Sequence, residues 1–307
     1  MSFSVVIPAF NAAKQISRTL EAFVEIAKKI TVEIIVIDDG SNDETSNKVR
    51  EYSDFLPLSY LRNESNFGAA YSRNLGVERA KNEIIVFNDS DDVSNLERFY
   101  IHQSHLSDPN VISFVSSIKK YGDREVPFKL RDLQNQTSLA SDYARHILHG
   151  ENLGQLGPCH LPSSTMALKK SYFLELGGFD SSFRRNEDVD LVIRGLENNA
   201  LISTSSKICV LRYVELKVHQ SGDSNLVGEL MLLQKYAPKY LTKREMSSSK
   251  FWFMARADYF EKRSLSAVKH LFLSFIFSPS RLFRSLLTKI PRRIHHDFMN
   301  SWSLTWR

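Results

Sequence analysis

At 307 residues with 42% hydrophobic side chains, and with no run near the roughly 20 apolar residues of a membrane span, the chain reads as globular rather than integral. Its two cysteines, Cys159 and Cys209, lack metal-like or CxxC spacing, which excludes a disulfide framework and suits a reducing cytoplasm. The net charge of +5 is uneven: residues 1–224 carry 25 basic and 30 acidic side chains and residues 225–307 carry 15 and 5, so the body is no nucleic-acid binder and only the tail calls for an anionic partner.

The N-terminus, Met1 to Pro8, lacks the basic region and long apolar stretch of an export signal. From there, short β-branched runs alternate with helical patterns. Phe3–Pro8, Val32–Ile37, Leu58–Leu61 and Glu83–Asn88 read as strands. The first helix is expected to start at an Asn11 N-cap, with Ile16, Leu20, Phe23 and Ala27 on one face. A second helix follows the turn Asp39-Gly40-Ser41-Asn42-Asp43, and a third runs from about Ala69 to Lys81. This βαβαβαβ order implies an α/β fold with a mainly parallel sheet and right-handed crossovers. On such sheets ligands lie beyond the carboxyl ends of the strands.

Residues 108–162 are less regular, with one helix expected over Asp142–Leu148, and read as a variable, substrate-facing region. Order returns with a strand over Ser163–Lys169, a short helix over Ser171–Leu176, the turn Gly177-Gly178-Phe179-Asp180 and a helix from Glu187 to about Asn198. Beyond Asn225 the chain is helical, aromatic and basic. The resulting division is 1–224 as one α/β domain, with halves at about 1–107 and 108–224, and 225–307 as a helical extension.

Four places after strands or at helix starts could carry chemistry. Asp89-Ser90-Asp91-Asp92 gathers carboxylates whose repulsion disfavours burial without a cation, and such hard oxygen ligands suit Mg²⁺ or Mn²⁺. The alternative is a solvated turn in which Asp92 or Ser94 caps a helix near Leu96. Asp39 could accept from a nucleobase ring N–H while Gly40 permits a tight turn, or the pair could be an ordinary Asp-Gly loop. Glu187-Asp188 could be dipole-stabilised carboxylates at a helix start or, in a cleft, hold a general base. His219 could ligate Mn²⁺ or be an ordinary surface or core histidine.

Together, Ser4-Val5-Val6-Ile7-Pro8-Ala9-Phe10-Asn11, Ile37-Asp38-Asp39-Gly40-Ser41, Asn66-Phe67-Gly68 with Arg73-Asn74, Asp89-Ser90-Asp91-Asp92, Gly177-Gly178-Phe179-Asp180 and Glu187-Asp188 resemble glycosyltransferase family 2. Six ordered motifs agree, over roughly residues 3–223. The resemblance implies the GT-A fold and sugar transfer from a nucleotide diphosphate, with inversion at the anomeric carbon and a divalent cation as cofactor. By the resemblance Pro8, Ala9 and Asp39 would hold the base, Asn66, Gly68 and Arg73 would line the nucleotide site, and Asp89 with Ser90 would lie near the ribose or sugar. Asp91 would bind the metal, Gly177 and Gly178 would shape the donor site, and Asp188, positioned by Glu187, would be the catalytic base. His219 resembles a histidine that approaches the diphosphate or metal, although its lead-in, Glu215-Leu216-Lys217-Val218, departs from the usual Tyr-Arg-x-His. Asn88 stands where leucine is common, a change expected to alter strand packing more than chemistry. The Gln-x-x-Arg-Trp signature of processive polymer synthases is absent.

The tail adds Leu265–Phe277, rich in Leu, Phe and Ile, and the segment Arg281–Ile290, whose Leu282, Phe283, Leu286, Leu287 and Ile290 share a helical face bordered by arginines. Such a segment suits the interface of an anionic membrane and access to a glycan or lipid-linked acceptor, which places the protein peripherally on the inner face of the cytoplasmic membrane. The same stripe serves equally to pack on the body or to form an oligomer. Two other functions fit parts of the pattern: a sugar nucleotidyltransferase, which usually has a Gly-rich basic loop where Pro8-Ala9-Phe10-Asn11 stands, and a non-catalytic nucleotide-sugar-binding protein.

Overall fold

The computed structural model describes residues 2–137, 139–151, 161–214 and 222–280. These fall into two compact units: the described parts of Met1–Ala140 and Gly154–His219 form one, those of Ser141–Leu153 and Gln220–Arg307 the other.

The first unit is built on one sheet. Its opening strands are β1 (Ser2–Ala9), β2 (Thr31–Asp38), β3 (Leu58–Arg62) and β4 (Ile84–Phe87), connected by α1 (Ile16–Ala27), α2 (Thr45–Arg50) and α3 (Ala69–Arg79). β5 (Asp92–Ser94), α4 (Glu97–His105), β6 (Val111–Tyr121), β7 (Arg124–Phe128) and β8 (Leu133–Thr137) follow. After residue 160 come β9 (Met166–Lys169), α6 (Lys170–Glu175), α7 (Glu187–Glu197) and β10 (Leu201–Tyr213); α5 (Ala140–His149) falls largely in the second unit. The strand order is β3-β2-β1-β4-β9-β6-β10-β5, with β7 on β6 and β8 on β10.

β1 to β4 pair in parallel, as the alternation of apolar runs and helices implies, and Val5, Val6, Ile34, Val36, Ile85 and Val86 are buried there. α3 lies so close to β1 that a Cβ on Gly76 would sit 2.4 Å from Val6 Cγ1, so only glycine permits that approach. α1 buries Ile16, Leu20, Phe23 and Ile26, and Phe99 of α4 packs edge-on against both Phe3 and Phe23 at 5.1 and 6.4 Å. Asn11 does not cap α1. It sits at φ 50° four residues before the Gln15 N-cap, and its side-chain oxygen accepts from Asn42 N–H at 2.9 Å, bracing two loops instead.

The second half of the sheet is mixed. β9 runs antiparallel between β4 and β6, and β6 pairs with β10 in parallel. Sequence periodicity misses β6 and β10 because they carry Ser113, Ser116, Ser117, Ser203, Thr204 and Ser205 in buried positions, and it misses β7 and β8, which bury no residue fully. Several of these hydroxyls bond across the sheet: Ser116 Oγ donates to Ser205 O at 2.7 Å, and Thr204 Oγ1 donates to Arg131 O at 2.6 Å. Where such a hydroxyl is bonded internally, its burial does not interrupt the strand; Ser117 Oγ is the exception, buried without a hydrogen-bond partner.

The second unit contains α8 (Gly222–Tyr240), α9 (Lys243–Phe260) and α10 (Ser264–Phe277). Thr242 and Glu245 form a reciprocal capping box at the start of α9. Arg145 of α5 pairs with both Glu151 and Glu245. Among the described residues no helix is long and apolar enough to cross a membrane.

Candidate active site

The carboxyl ends of β1, β2 and β3 are laced together by short polar side chains. Asp39 N–H donates to Ala9 O at 2.7 Å, next to Pro8 at the end of β1, and Asn11 N–H donates to Ser41 Oγ at 2.9 Å. Asp38 accepts from Ser41 N–H at 2.8 Å and from the Tyr60 hydroxyl at 2.5 Å. Asp39, buried at 3% exposure, accepts three donors of its own chain: Asn63 Nδ2 at 2.8 Å, Phe67 N–H at 3.0 Å and Gly68 N–H at 2.7 Å. A carboxylate offers about four acceptor positions, so one is left. Gly40 is required here, because its φ is 77° and a Cβ would lie 2.8 Å from the Ser65 carbonyl carbon.

At the end of β4 the carboxylate oxygens of Asp89, Asp91 and Asp92 lie within 4.8 Å of one another. Burial, and then the charge of Asp89, push the Asp91 carboxyl up to about 6 and hold Asp92 well above its usual range. Partial relief comes from Arg212, whose Nε lies 3.4 Å from Asp92 Oδ2 as an ion pair without hydrogen-bond geometry. Oxygen ligands crowded in this way fit a hard divalent cation. Ser90 faces α1, with its carbonyl accepting from Thr19 Oγ1 at 2.9 Å. Neither Asp92 nor Ser94 caps α4: Asn95 Oδ1 accepts from Arg98 N–H at 3.1 Å instead.

Arg73 joins this loop to α7, and two further arginines brace the neighbouring segments. Arg73 of α3 donates from Nη2 to Asp89 Oδ1 and from Nη1 to Glu187 Oε1, both at 2.7 Å. Burial opposes its charge, yet the two carboxylates outweigh burial and raise its pKa. Glu187 is raised by burial and by neighbouring Asp188, against the pull of Arg73. Arg184 bonds Asn66 Oδ1 at 2.9 Å and packs over Gly68, where a Cβ would meet Arg184 Nη1 at 2.7 Å. Arg194 pairs with buried Asp190 at 2.8 Å and donates to the carbonyls of Leu176 and Gly178, tying the Gly177-Gly178 turn to α7.

Asn186 starts α7 from the left-handed region at φ 66°. Asp188, 7% exposed, accepts from Val189 N–H at 2.8 Å and from Ser163 N–H at 3.3 Å. Asn74 clamps the turn before α7 from both sides, donating to Phe179 O at 2.8 Å and accepting from Phe179 N–H at 2.9 Å. Beneath it Phe87, Phe173 and Phe179 form a triangle of rings 5.1 to 5.5 Å apart.

This order of elements and motifs has a counterpart among known proteins. The model of glycosyl transferase family 2 matches residues 4–176, just over half of the chain. The chain belongs to glycosyltransferase family 2. Among its relatives in the family, the amylovoran biosynthesis glycosyltransferase AmsB of Erwinia amylovora is 29% identical over 205 residues, 63% of this chain and 64% of AmsB. The chain thus spans under two thirds of that relative's length. A UDP-Glc:alpha-D-GlcNAc-diphosphoundecaprenol beta-1,3-glucosyltransferase, WfgD of Escherichia coli, is 28% identical over 228 residues, covering 74% of this chain and 81% of WfgD. In fold the chain resembles Staphylococcus aureus TarS in complex with UDP-GlcNAc, with TM-score 0.59 and 19% identity over 92% of this chain and 83% of that one. The fold is accordingly GT-A-like, a sheet flanked by helices with a helical C-terminal region.

The structure brings Asp89, Arg73 and Glu187 into one bonded group and places Asn66, Gly68, Gly178 and Asp188 in the segments that surround it. His219 lies outside the described residues. Sequence reasoning passed over Arg184, Asp190 and Arg194. An i,i+4 acid–base pair at 190 and 194 was visible in the sequence, but its reach to the Gly177-Gly178 turn was not.

Proposed function

We propose that the chain is an inverting glycosyltransferase that moves a sugar from a nucleotide-diphosphate donor, a UDP-sugar, to an acceptor hydroxyl in the assembly of bacterial cell-surface polysaccharide or glycolipid. One observation carries this reading: Arg73 joins Asp89 of the metal-competent strand end to Glu187, the neighbour of Asp188. Cation site and carboxylate at a helix start then belong to a single centre. TarS in complex with UDP-GlcNAc and the diphosphoundecaprenol-linked acceptor in the name of WfgD support the donor and acceptor classes.

In this reading Pro8, Ala9 and Asp39 hold the base, Asp39 through its remaining acceptor position, while Asn66, Gly68 and Arg73 line the nucleotide. Asp89 and Ser90 lie against the ribose or sugar, beside the Gly177-Gly178 turn. Asp91 holds Mn²⁺ or Mg²⁺, with His219 as its second proposed ligand. When bound, the cation supplies positive charge against the departing diphosphate. Asp188 takes the acceptor proton as the hydroxyl oxygen attacks, and Glu187, fixed by Arg73, sets its position.

A peripheral site on the cytoplasmic side of an anionic membrane is part of the same proposal. α10 leaves Leu265, Val268, Phe272, Phe275 and Ile276 exposed, and the chain runs on into the arginine-rich segment after residue 280. Domain 1–224 would do the chemistry and 225–307 the attachment. Co-sedimentation with vesicles containing anionic lipid is expected for the full chain, and dimer formation without vesicle binding would replace attachment by oligomer contact.

The enzyme reading is tested by thermal shift over a panel of UDP-, GDP- and dTDP-sugars with Mn²⁺, paired with an assay of nucleotide diphosphate release. A preferred UDP-sugar should stabilise the fold only with metal and be turned over. Absence of both effects across the panel would overturn it.

A further inference from the structure

Asn88 closes β4 one residue before the acidic loop and is wholly buried. Its amide nitrogen donates to two backbone carbonyls, Asp89 O at 2.8 Å and Asp92 O at 3.0 Å, which bracket Ser90 and Asp91. Its amide oxygen accepts from Ser94 Oγ at 2.7 Å and from Arg98 Nη1 at 3.0 Å. An arginine can only donate, so the atom facing it must be the oxygen, and the nitrogen is thereby turned toward the loop.

Arg98 is itself wholly buried, an uncommon place for a guanidinium. Its acceptors are all neutral: Phe87 O at 2.7 Å, Ser94 Oγ at 2.8 Å, His102 Nε2 at 3.3 Å and the Asn88 oxygen. Burial draws its pKa down to about 10, which still leaves it charged at neutral pH. His102 accepts at Nε2, so its proton sits on Nδ1 and goes to Ser113 Oγ at 2.8 Å; Ser113 Oγ also shares a hydrogen bond with His105 Nδ1 at 2.8 Å. Burial, then the charge of Arg98, holds His102 well below its usual range and so neutral. The donor directions from Asn88 through Ser94 and Arg98 to His102 follow from the one residue that cannot accept.

A buried charge without a carboxylate bonded to it costs stability, and an apolar core would not incur that cost. What this arrangement gains is a rigid underside to a loop whose own carboxylates repel one another. We infer that Asn88 and Arg98 are positioning residues that hold the Asp89–Asp92 loop in its cation-binding shape. The inference rests on the proposed metal role of Asp91. It also revises the expectation that Asn88 alters strand packing more than chemistry.

The test uses the full chain and Mn²⁺ alone, titrated by the loss of the free-ion resonance signal. Asn88→Leu leaves Arg98 short of an acceptor and should lower the melting temperature. The double variant Asn88→Leu/Arg98→Met removes both polar partners and should recover much of it. In that recovered protein Mn²⁺ affinity should still fall by on the order of 10- to 100-fold, as for other groups that orient metal ligands, with KM for donor raised more than kcat is lowered. Ser94→Ala, a milder change that removes one donor to Asn88, should weaken Mn²⁺ a few-fold without loss of fold and serves if the double variant does not fold. Wild-type affinity in the folded double variant or in Ser94→Ala would overturn the inference while leaving the enzyme reading standing. A wild-type chain that binds no Mn²⁺ would remove both.

Discussion

Arg73 reaches Glu187 across 114 positions of sequence, with Nη1 2.7 Å from Glu187 Oε1. Its other terminal nitrogen holds Asp89 at the same distance, and the guanidinium is only 5% exposed. Removing it leaves a buried carboxylate unpaired. Arg73→Met should therefore lower unfolding free energy by about 3 kcal/mol in urea denaturation, and Arg73→Met/Glu187→Gln should recover part of that loss. Arg73→Lys should also lose activity, since one ammonium lacks the fork that spans two carboxylates. Equal stability of the single and double variants would show that the pair is not coupled.

Asp188 accepts from Val189 N–H on one oxygen and from Ser163 N–H on the other, so its replacement by asparagine keeps its size and one of these bonds. Asp188→Asn should retain donor affinity within a few-fold and lose transfer by about 10² or more, the range of a missing general base. Normal turnover by that variant would remove the assigned base.

The raised Asp91 carboxyl sets a pH window. Without metal, the folded chain binds this proton more tightly than the unfolded chain does between about 4 and 6. Its contribution to stability is thus full below about 4 and is lost as pH rises through 6. A cation needs the deprotonated group, so its affinity rises through the same interval. The Mn²⁺-induced rise in melting temperature should be small at pH 5 and full at pH 7.5. An equal rise at both would exclude Asp91 as a ligand.

Gly178 sits at φ 69°, and a Cβ there would lie 2.8 Å from Asn74 Oδ1. Gly178→Ala should strain the turn and push away the clamp on Phe179, costing roughly 1–3 kcal/mol and depressing turnover. Gly177 shares the positive φ but has no atom within 4 Å of its Cβ position, so Gly177→Ala should cost less by chemical denaturation.

Much of the first half was legible because parallel strands buried on both faces read as plain apolar runs. Val32–Ile37 needed only one residue added at each end to become β2. The helix boundaries of α3 and α7 were close for a similar reason, with Gly68 before one and Glu187-Asp188 opening the other. β6 and β10 escaped because their buried serines break the pattern that burial normally writes. The acidic loop, Arg73 and Asp188 were legible as motifs, but the arginines that brace the segments around them were not: Arg184 reaches the Asn66 side chain and carbonyl and Arg194 the carbonyls of Leu176 and Gly178, and such partners carry no signature in sequence. Asn88 looked like a packing variant because its partner Arg98 stands ten positions away on another element.

The Arg73 bridge also limits how the protein can be divided. A fragment ending at residue 176, where the family match stops, would hold β1 to β4 and the acidic loop, yet it would strip Arg73 of Glu187, the Phe87–Phe173 pair of Phe179, and β6 of its neighbour β10. Domain exchange with a relative therefore has to carry both ends of the bridge from the same parent, with segments containing residues 73, 89 and 187 moved as a set.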